Sequence, residues 1–398
     1  MQTSRVKDEG IRQPERFSDK LIYNKAFFEH AMEHVLYKID ENLKAFNGRF
    51  PAAASKNLVY PVIDNMDWTN GFWTGMLWLA YEITGDAKYA SAAESQLPGY
   101  QERIERKLNV DHHDMGFLYS LSCIAAYKLT GNETAKQTAI MAAEHLTTRF
   151  VKVAGMIQAW GDLNVASHQQ GRMIIDCNMN LGLLYWASEV TGDPKYYEIA
   201  KQHVEQAARY IVRDDASTYH TYYFDVETGN PLFGKTGQGF SDSSCWARGQ
   251  AWGIYGFPIS YRYTKDQSLL DLNKKLIHYF LNRLPEDLVC HWDLIFTSGA
   301  EEKDSSAAAI AVCGMIDTAA QLPLTDGMRR LYEVAAIGIL GSLVEGYTTK
   351  DTPESNGILL HGVYSKPIND GVDECCIWGD YFYLEALVRL LRNWKPYW

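Results

Sequence analysis

Residues 67–86 read DWTNGFWTGMLWLAYEITGD. Small and aromatic side chains fall on nearly every face of the helix this stretch would make, and such all-round apolarity marks a helix buried on most sides. The stretch ends on Thr84, Gly85 and Asp86, where glycine supplies a left-handed C-cap and aspartate offers an N-cap to a second helix. The same punctuation recurs as LTGNETA at 129–135, VTGDPKY at 190–196 and, more loosely, YTKDQSL at 263–269. The segment after each punctuation is amphipathic: KYYEIAKQHVEQAARYIV at 195–212 carries its apolar positions on one stripe and its charges on the other. The repeating unit is therefore a buried helix, a tight turn and a half-buried helix.

Segments of the buried type also come after Asp114, Asp176, Arg248, Asp304 and Trp378, and NKAFFEHAMEHVLYKIDENLKAF at 24–46 supplies an outer helix ahead of the first. That makes about six inner and about six outer helices. The alternation predicts an all-α protein, an (α/α)6 barrel of six helical hairpins, with residues 1–398 forming a single domain. The β-prone piece STYHTYYFDVETGNPLFG at 217–234 contains the turn ETGN and reads as a short β-hairpin in a loop. In such a barrel every inner helix starts at one mouth, so residues at their N-termini converge although they are distant in sequence.

The 398 residues carry a formal net charge of −11, which repels a phosphate backbone, and no basic run interleaved with aromatics offsets it. Nucleic acid is excluded as a partner on this ground. No apolar stretch is long enough to span a bilayer, and MQTSRVKDEGIRQPERF at 1–17 has no apolar leader core, so no membrane association and a cytoplasmic location are expected. Seven cysteines, scattered apart from the adjacent Cys375 and Cys376, read as buried thiols of a reducing compartment.

Two aspartates stand at inner-helix starts. Asp114 closes VDHHD at 110–114, and Asp176 lies in GRMIIDCNMN at 171–180. Either is explained by helix capping alone. Asp176, however, sits among Met173, Ile174, Ile175 and Cys177, and both an apolar setting and a second carboxylate across the mouth raise a carboxyl pKa toward that of a usable general acid. The histidine pair admits a metal site, a catalytic cluster or a polar cap, although adjacent histidines lack the spacing of metal ligands. No dinucleotide fingerprint, P-loop or nucleophile elbow is present. Aromatics gather at the mouths: Trp68, Phe72 and Trp73, then Trp246 and Trp252. Trp160 falls in the loop GMIQAWGDLN at 155–164, where an exposed indole would suit a sugar ring. Arg248 begins an apolar helix and needs an anion, either from a structural salt bridge or from a ligand.

Taken together and in order, DNMDWTNGFWTGMLWLAYEITGD, VDHHDMGFLYSLS, GRMIIDCNMNLGLLYWA, DDASTYHTYYFD, WARGQAWGIYGF, DSSAAA and IWGDYFYLEAL resemble the unsaturated glucuronyl hydrolases of glycoside hydrolase family 88. The resemblance implies an α/α-barrel fold, Asp176 as general acid/base and Asp114 as its partner. It also implies a sugar site lined by Trp68, Phe72, His113, Trp160, His220, Gln238, Arg248 and Trp252, and neither a metal nor another cofactor. The implied substrate is an unsaturated glycosaminoglycan di- or oligosaccharide left by a polysaccharide lyase.

One loop departs from the pattern. HGVYSKPINDG at 361–371 retains Ser365 and Lys366 as candidate substrate contacts, whereas members favouring sulfated disaccharides resemble a run richer in serine that ends in lysine. Ile368 and Asp370 are poor sulfate partners. Alternative readings are an unsaturated rhamnogalacturonyl hydrolase acting on pectin fragments, a sugar epimerase on a similar barrel using histidines, and an inactive sugar-binding barrel.

Overall fold

The computed structural model describes residues 5–18, 23–163 and 165–398; the first four residues of the N-terminal stretch and Asn164 of the Trp160 loop lie outside them. In chain order the helices are α1 (Lys25–Phe46), α2 (Asn70–Thr84), α3 (Ala87–Glu105), α4 (Met115–Tyr119), α5 (Ala125–Thr130) and α6 (Glu133–Thr147). They continue with α7 (Cys177–Thr191), α8 (Pro194–Gln206), α9 (Ala247–Thr264), α10 (Gln267–Leu281), α11 (Ser305–Gln321), α12 (Gly327–Gly346) and α13 (Ile377–Leu391). A π turn at Ser120–Ile124 joins α4 to α5, so the two make one inner helix. The inner elements are then α2, α4 with α5, α7, α9, α11 and α13, and each is buried along most of its length. The outer ones bury a single stripe, as in α1, where Phe28, Ala31, Met32, Val35 and Ile39 face inward. This is the six-hairpin α/α barrel.

The repeated punctuation acts as its chemistry dictates. Gly85, Gly131, Gly192 and Lys265 close inner helices in the left-handed conformation. Asp86, Asn132, Asp193 and Asp266 then each accept a hydrogen bond from an amide in the first turn of the next outer helix.

Closure of the ring rests on glycine. A Cβ at Gly71 of α2 would lie 2.0 Å from Phe117 O of α4, one at Gly116 would lie 2.5 Å from Asn180 Cα of α7, and one at Gly256 of α9 would lie 2.5 Å from Asn178 Cβ of α7. Gly314 of α11 would meet Ile254 O of α9 at 2.7 Å, Gly379 of α13 would meet Ser306 Cβ of α11 at 2.9 Å, and Gly75 of α2 would meet Tyr381 of α13 at 2.8 Å. Every neighbouring pair of inner helices thus approaches through a missing side chain, and the last returns to the first.

The expected hairpin is present as Thr221–Phe224 and Pro231–Lys235, but it is part of a larger unit. Arg172–Ile174 pairs with Thr221–Phe224 to make a three-stranded antiparallel sheet. That sheet leads directly into α7. A second hairpin, Gly362–Ser365 with Asp370–Glu374, lies before α13. Among the described residues no helix is long and apolar enough to cross a membrane.

Candidate active site

Asp114 and Asp176 occupy the positions just before α4 and α7, yet neither side chain bonds an amide of its own helix, which corrects the capping explanation. They turn instead toward His113. Its Nε2 lies 3.2 Å from Asp114 Oδ1 and 3.3 Å from Asp176 Oδ1. The ring is held there because the His113 amide donates to Ala159 O at 2.8 Å. On the far side, His112 lies 3.3 Å from Asp114 Oδ2 and is anchored through Nε2 to Asn109 O at 2.9 Å. The side chain of Asp114 is 2% exposed and that of Asp176 is 17% exposed, so only Asp176 opens appreciably to solvent.

The two carboxyl groups are separated by their partners, against a common background of burial. Burial pushes Asp176 up to about 6; His113, Arg172 and Arg248 oppose the shift, while the nearby Asp114 carboxylate adds to it. Burial acts the same way on Asp114, but the charge of His113 and hydrogen bonds from His112 and His113 outweigh it and hold that carboxyl well below its ordinary range. Burial disfavours a charged His113, yet the two carboxylates prevail and raise the imidazole well above its usual value. The arrangement is an imidazolium between a firm carboxylate and a carboxyl poised to change state. His113, Asp114 and Asp176 each offer one potential metal-ligand atom, all within 4.8 Å of one another. The shared histidine nitrogen sits at ion-pair distance from both carboxylates, an arrangement that a proton on that nitrogen satisfies.

Above the pair lies a cavity of about 210 Å³ lined by Trp68, Asp114, Trp160, Gln169, Arg172, Ile174, Asp176, His220, Gln238, Trp246, Arg248, Trp252 and Tyr364. Burial and the charges of Arg172, Arg248 and His113 hold His220 well below its ordinary pKa, so its ring is neutral. Its Nδ1 accepts from the Gly237 amide at 2.8 Å, which leaves the proton on Nε2.

The remaining expected residues divide. Trp68, Trp160, Gln238, Arg248 and Trp252 reach the cavity, and His113 lies beneath its floor. Phe72 is fully buried among Phe117, Tyr381 and Phe382, one layer behind Trp68, and does not line the cavity. Trp160 is half-buried rather than freely exposed, with its ring stacked on His112 at 4.7 Å. Arg248 meets a protein anion, Asp304, at 3.1 Å, and its terminal nitrogens also donate to Val363 O, Tyr364 O and Gln238 Oε1. It therefore aims Gln238 into the site.

Ser365 and Lys366 are not brought to the cavity. Side chains alternate along Gly362–Ser365, and Tyr364 faces inward with its hydroxyl accepting from Trp68 Nε1 at 3.2 Å, so Ser365 points away and is buried. Lys366 forms an ion pair with Glu302.

Arg172, Gln169, Ile174, Trp246 and Tyr364 were not foreseen as site residues. Arg172 donates through Nε to Thr221 Oγ1 at 3.1 Å and through Nη1 to Gln169 Oε1 at 2.9 Å. A signal for it was present: read as a strand, 172, 174 and 176 share one face.

A six-hairpin α/α barrel with an elevated carboxyl beneath an aromatic-walled cavity is a setting for acid/base chemistry on a carbohydrate. The model of Glycosyl Hydrolase Family 88 matches residues 42–321, and the chain belongs to that family. It is 47% identical over 395 residues to an unsaturated chondroitin disaccharide hydrolase of Streptococcus pneumoniae, covering 99% of each chain. The crystal structure of an unsaturated glucuronyl hydrolase from Streptococcus agalactiae superposes with a TM-score of 0.95 at 47% identity, covering 99% of both chains. A variant of that enzyme complexed with dGlcA-GalNAc6S gives a TM-score of 0.89 at 45% identity, again over 99% of each.

Proposed function

We propose that this chain is an unsaturated glucuronyl hydrolase that releases the unsaturated uronic acid from lyase-generated glycosaminoglycan oligosaccharides, with Asp176 as its general acid/base. The observation that carries the assignment is a single carboxyl raised to about 6, facing a sugar-sized cavity and fixed through His113 to a second carboxylate. The terminal ring of such a substrate has a C4=C5 double bond conjugated to its carboxylate and joined to the ring oxygen, which makes it an enol ether. Proton transfer from Asp176 to C4 leaves an oxocarbenium-like centre at C5. Water adds there as the Asp176 carboxylate takes up its proton. The hemiketal then opens and expels the neighbouring sugar. One group gives and recovers a proton, so the two-carboxylate separation rules of ordinary glycosidases do not apply.

Asp114 acts through His113 to hold the orientation and proton affinity of Asp176. Neutral His220 donates from Nε2, Gln238 and Arg172 supply polar contacts, and Trp68, Trp160 and Trp252 form the aromatic walls. We also read residues 1–398 as one catalytic domain, because Gly75 and Tyr381 join the first and last inner helices. A cytoplasmic location is supported by seven buried, unpaired cysteines.

The decisive experiment offers unsaturated chondroitin, hyaluronan, heparin and rhamnogalacturonan disaccharides and monitors loss of the conjugated C=C absorbance. Glycosaminoglycan disaccharides should be consumed. Turnover confined to the pectin product, or binding without turnover, would overturn the assignment.

A further inference from the structure

An aspartate just before a helix ordinarily turns its carboxylate onto an amide of the first turn, one of the donors left without an intrahelical partner. Asp304 does this before α11, where it accepts from the Ala307 amide at 3.3 Å. Asp114 holds the same place before α4, and the amide at the corresponding position is that of Phe117. That amide is already taken: it donates to Oδ1 of Asn180, near the start of α7, at 2.8 Å. Through Nδ2 the same side chain donates to Asp176 O at 3.3 Å. Gly116 makes the reach possible, since a Cβ there would lie 2.9 Å from Asn180 Oδ1. Asn180, Asp114 and Phe117 are all buried. With the Phe117 amide satisfied from another helix, Asp114 turns Oδ1 to His113 and Oδ2 to His112.

We infer that Asn180 is a positioning residue for the acid/base pair: it caps α4 from the neighbouring helix in place of Asp114, and so leaves the Asp114 carboxylate to hold His113 against Asp176. The inference rests on the assignment of Asp176 as general acid/base in a hydrolase of unsaturated glycosaminoglycan fragments. A buried amide without an acceptor is costly, so loss of the Asn180 carboxamide draws Asp114 back to the amide of its own helix. His113 then loses the stronger of the two carboxylates that favour its charged form, and Asp176 loses a fixed partner. Asn180 does not line the reaction cavity, so its removal should act on kcat and not on KM.

The test combines Asn180→Ala with Asp114→Asn. Asn180→Ala should lower kcat by about ten- to a hundredfold, the scale of a reacting group displaced by about an ångström, with KM little changed. In the Asp114→Asn background the same change should cost no more than about twofold, because Asn180 acts through the Asp114 carboxylate. Crystals of Asn180→Ala should show Asp114 turned onto the Phe117 amide and away from His113. Asn180→Asp keeps an acceptor for that amide and should leave Asp114 in place. Asn180→Ser, whose hydroxyl stops short of the amide, replaces Asn180→Ala if the latter does not fold. Unchanged kcat, equal losses in both backgrounds, an Asp114 that stays on His113, or failure of both variants to fold overturns the inference. Absence of turnover of unsaturated disaccharides by the wild type overturns the hydrolase reading instead, while the position of Asp114 in the crystals still decides the cap.

Discussion

His113 lies 3.3 Å from Asp176, and the same ring nitrogen lies 3.2 Å from Asp114. One proton-bearing group thus ties together two aspartates that stand 62 positions apart at the starts of different inner helices (176 − 114 = 62). The consequence is that the pair behaves as a unit, with one carboxyl depressed and the other raised.

Asp176→Asn should leave the fold intact, since its side chain caps no helix, but lower kcat by at least about a hundredfold, the lower end of what a positioned acid/base contributes. Asp114→Asn should also impair strongly, and the double variant should be little worse than Asp176→Asn. Circular dichroism and single-turnover rates check this; near wild-type turnover in folded Asp176→Asn would sink the mechanism.

The proton on Asp176 sets the pH profile. The group must be protonated to attack C4 and is raised to about 6, so activity should fall as pH rises through about 6. Arg172 favours the charged form of Asp176. Its replacement in Arg172→Met should therefore raise that pKa and move the alkaline limb of kcat to higher pH. A limb that stays in place or moves down in Arg172→Met contradicts the electrostatic role.

Exhaustive chelation should leave turnover unchanged, because the nitrogen that could ligate a metal sits at ion-pair distance from both carboxylates and the hydration of an enol ether needs no Lewis acid. Activity lost with EDTA and recovered on adding zinc would restore the metal reading of the His112–His113 pair.

Much of the fold was legible because it is written in local chemistry. The left-handed caps at Gly85, Gly131 and Gly192 and the Asp or Asn caps immediately after them are readable residue by residue. The convergence of Asp114 and Asp176 then came from topology alone. The features that stayed hidden depended on register and competition between partners. The Arg172–Ile174 strand is three residues long, too short for alternation to stand out beside an apolar helix start, so Arg172 went unseen. Ser365 and Lys366 are adjacent to Tyr364 in sequence, yet strand alternation and an ion pair to Glu302 take them away from the cavity that Tyr364 lines.

The same loop bears on sulfate. Asp370 pairs with Ser365 in the hairpin and lines a side cavity together with Asp67 and Glu374, against which Lys56 is the cation among the lining residues. Lys366 is committed to Glu302. A sulfate ester directed to this side therefore meets like charge, which is costly where water is partly excluded. Unsulfated chondroitin or hyaluronan disaccharides should be accepted at least as well as 6-sulfated ones. Asp370→Lys should lower KM for the 6-sulfated substrate by about two- to fivefold, the range of a partly exposed ion pair, with kcat little changed. The check is a kcat/KM comparison of matched disaccharides in both proteins. Strong selectivity of the wild type for the 6-sulfated sugar would mean that the sulfate is received elsewhere, with Lys235 at the end of the hairpin before α9 the first position to substitute.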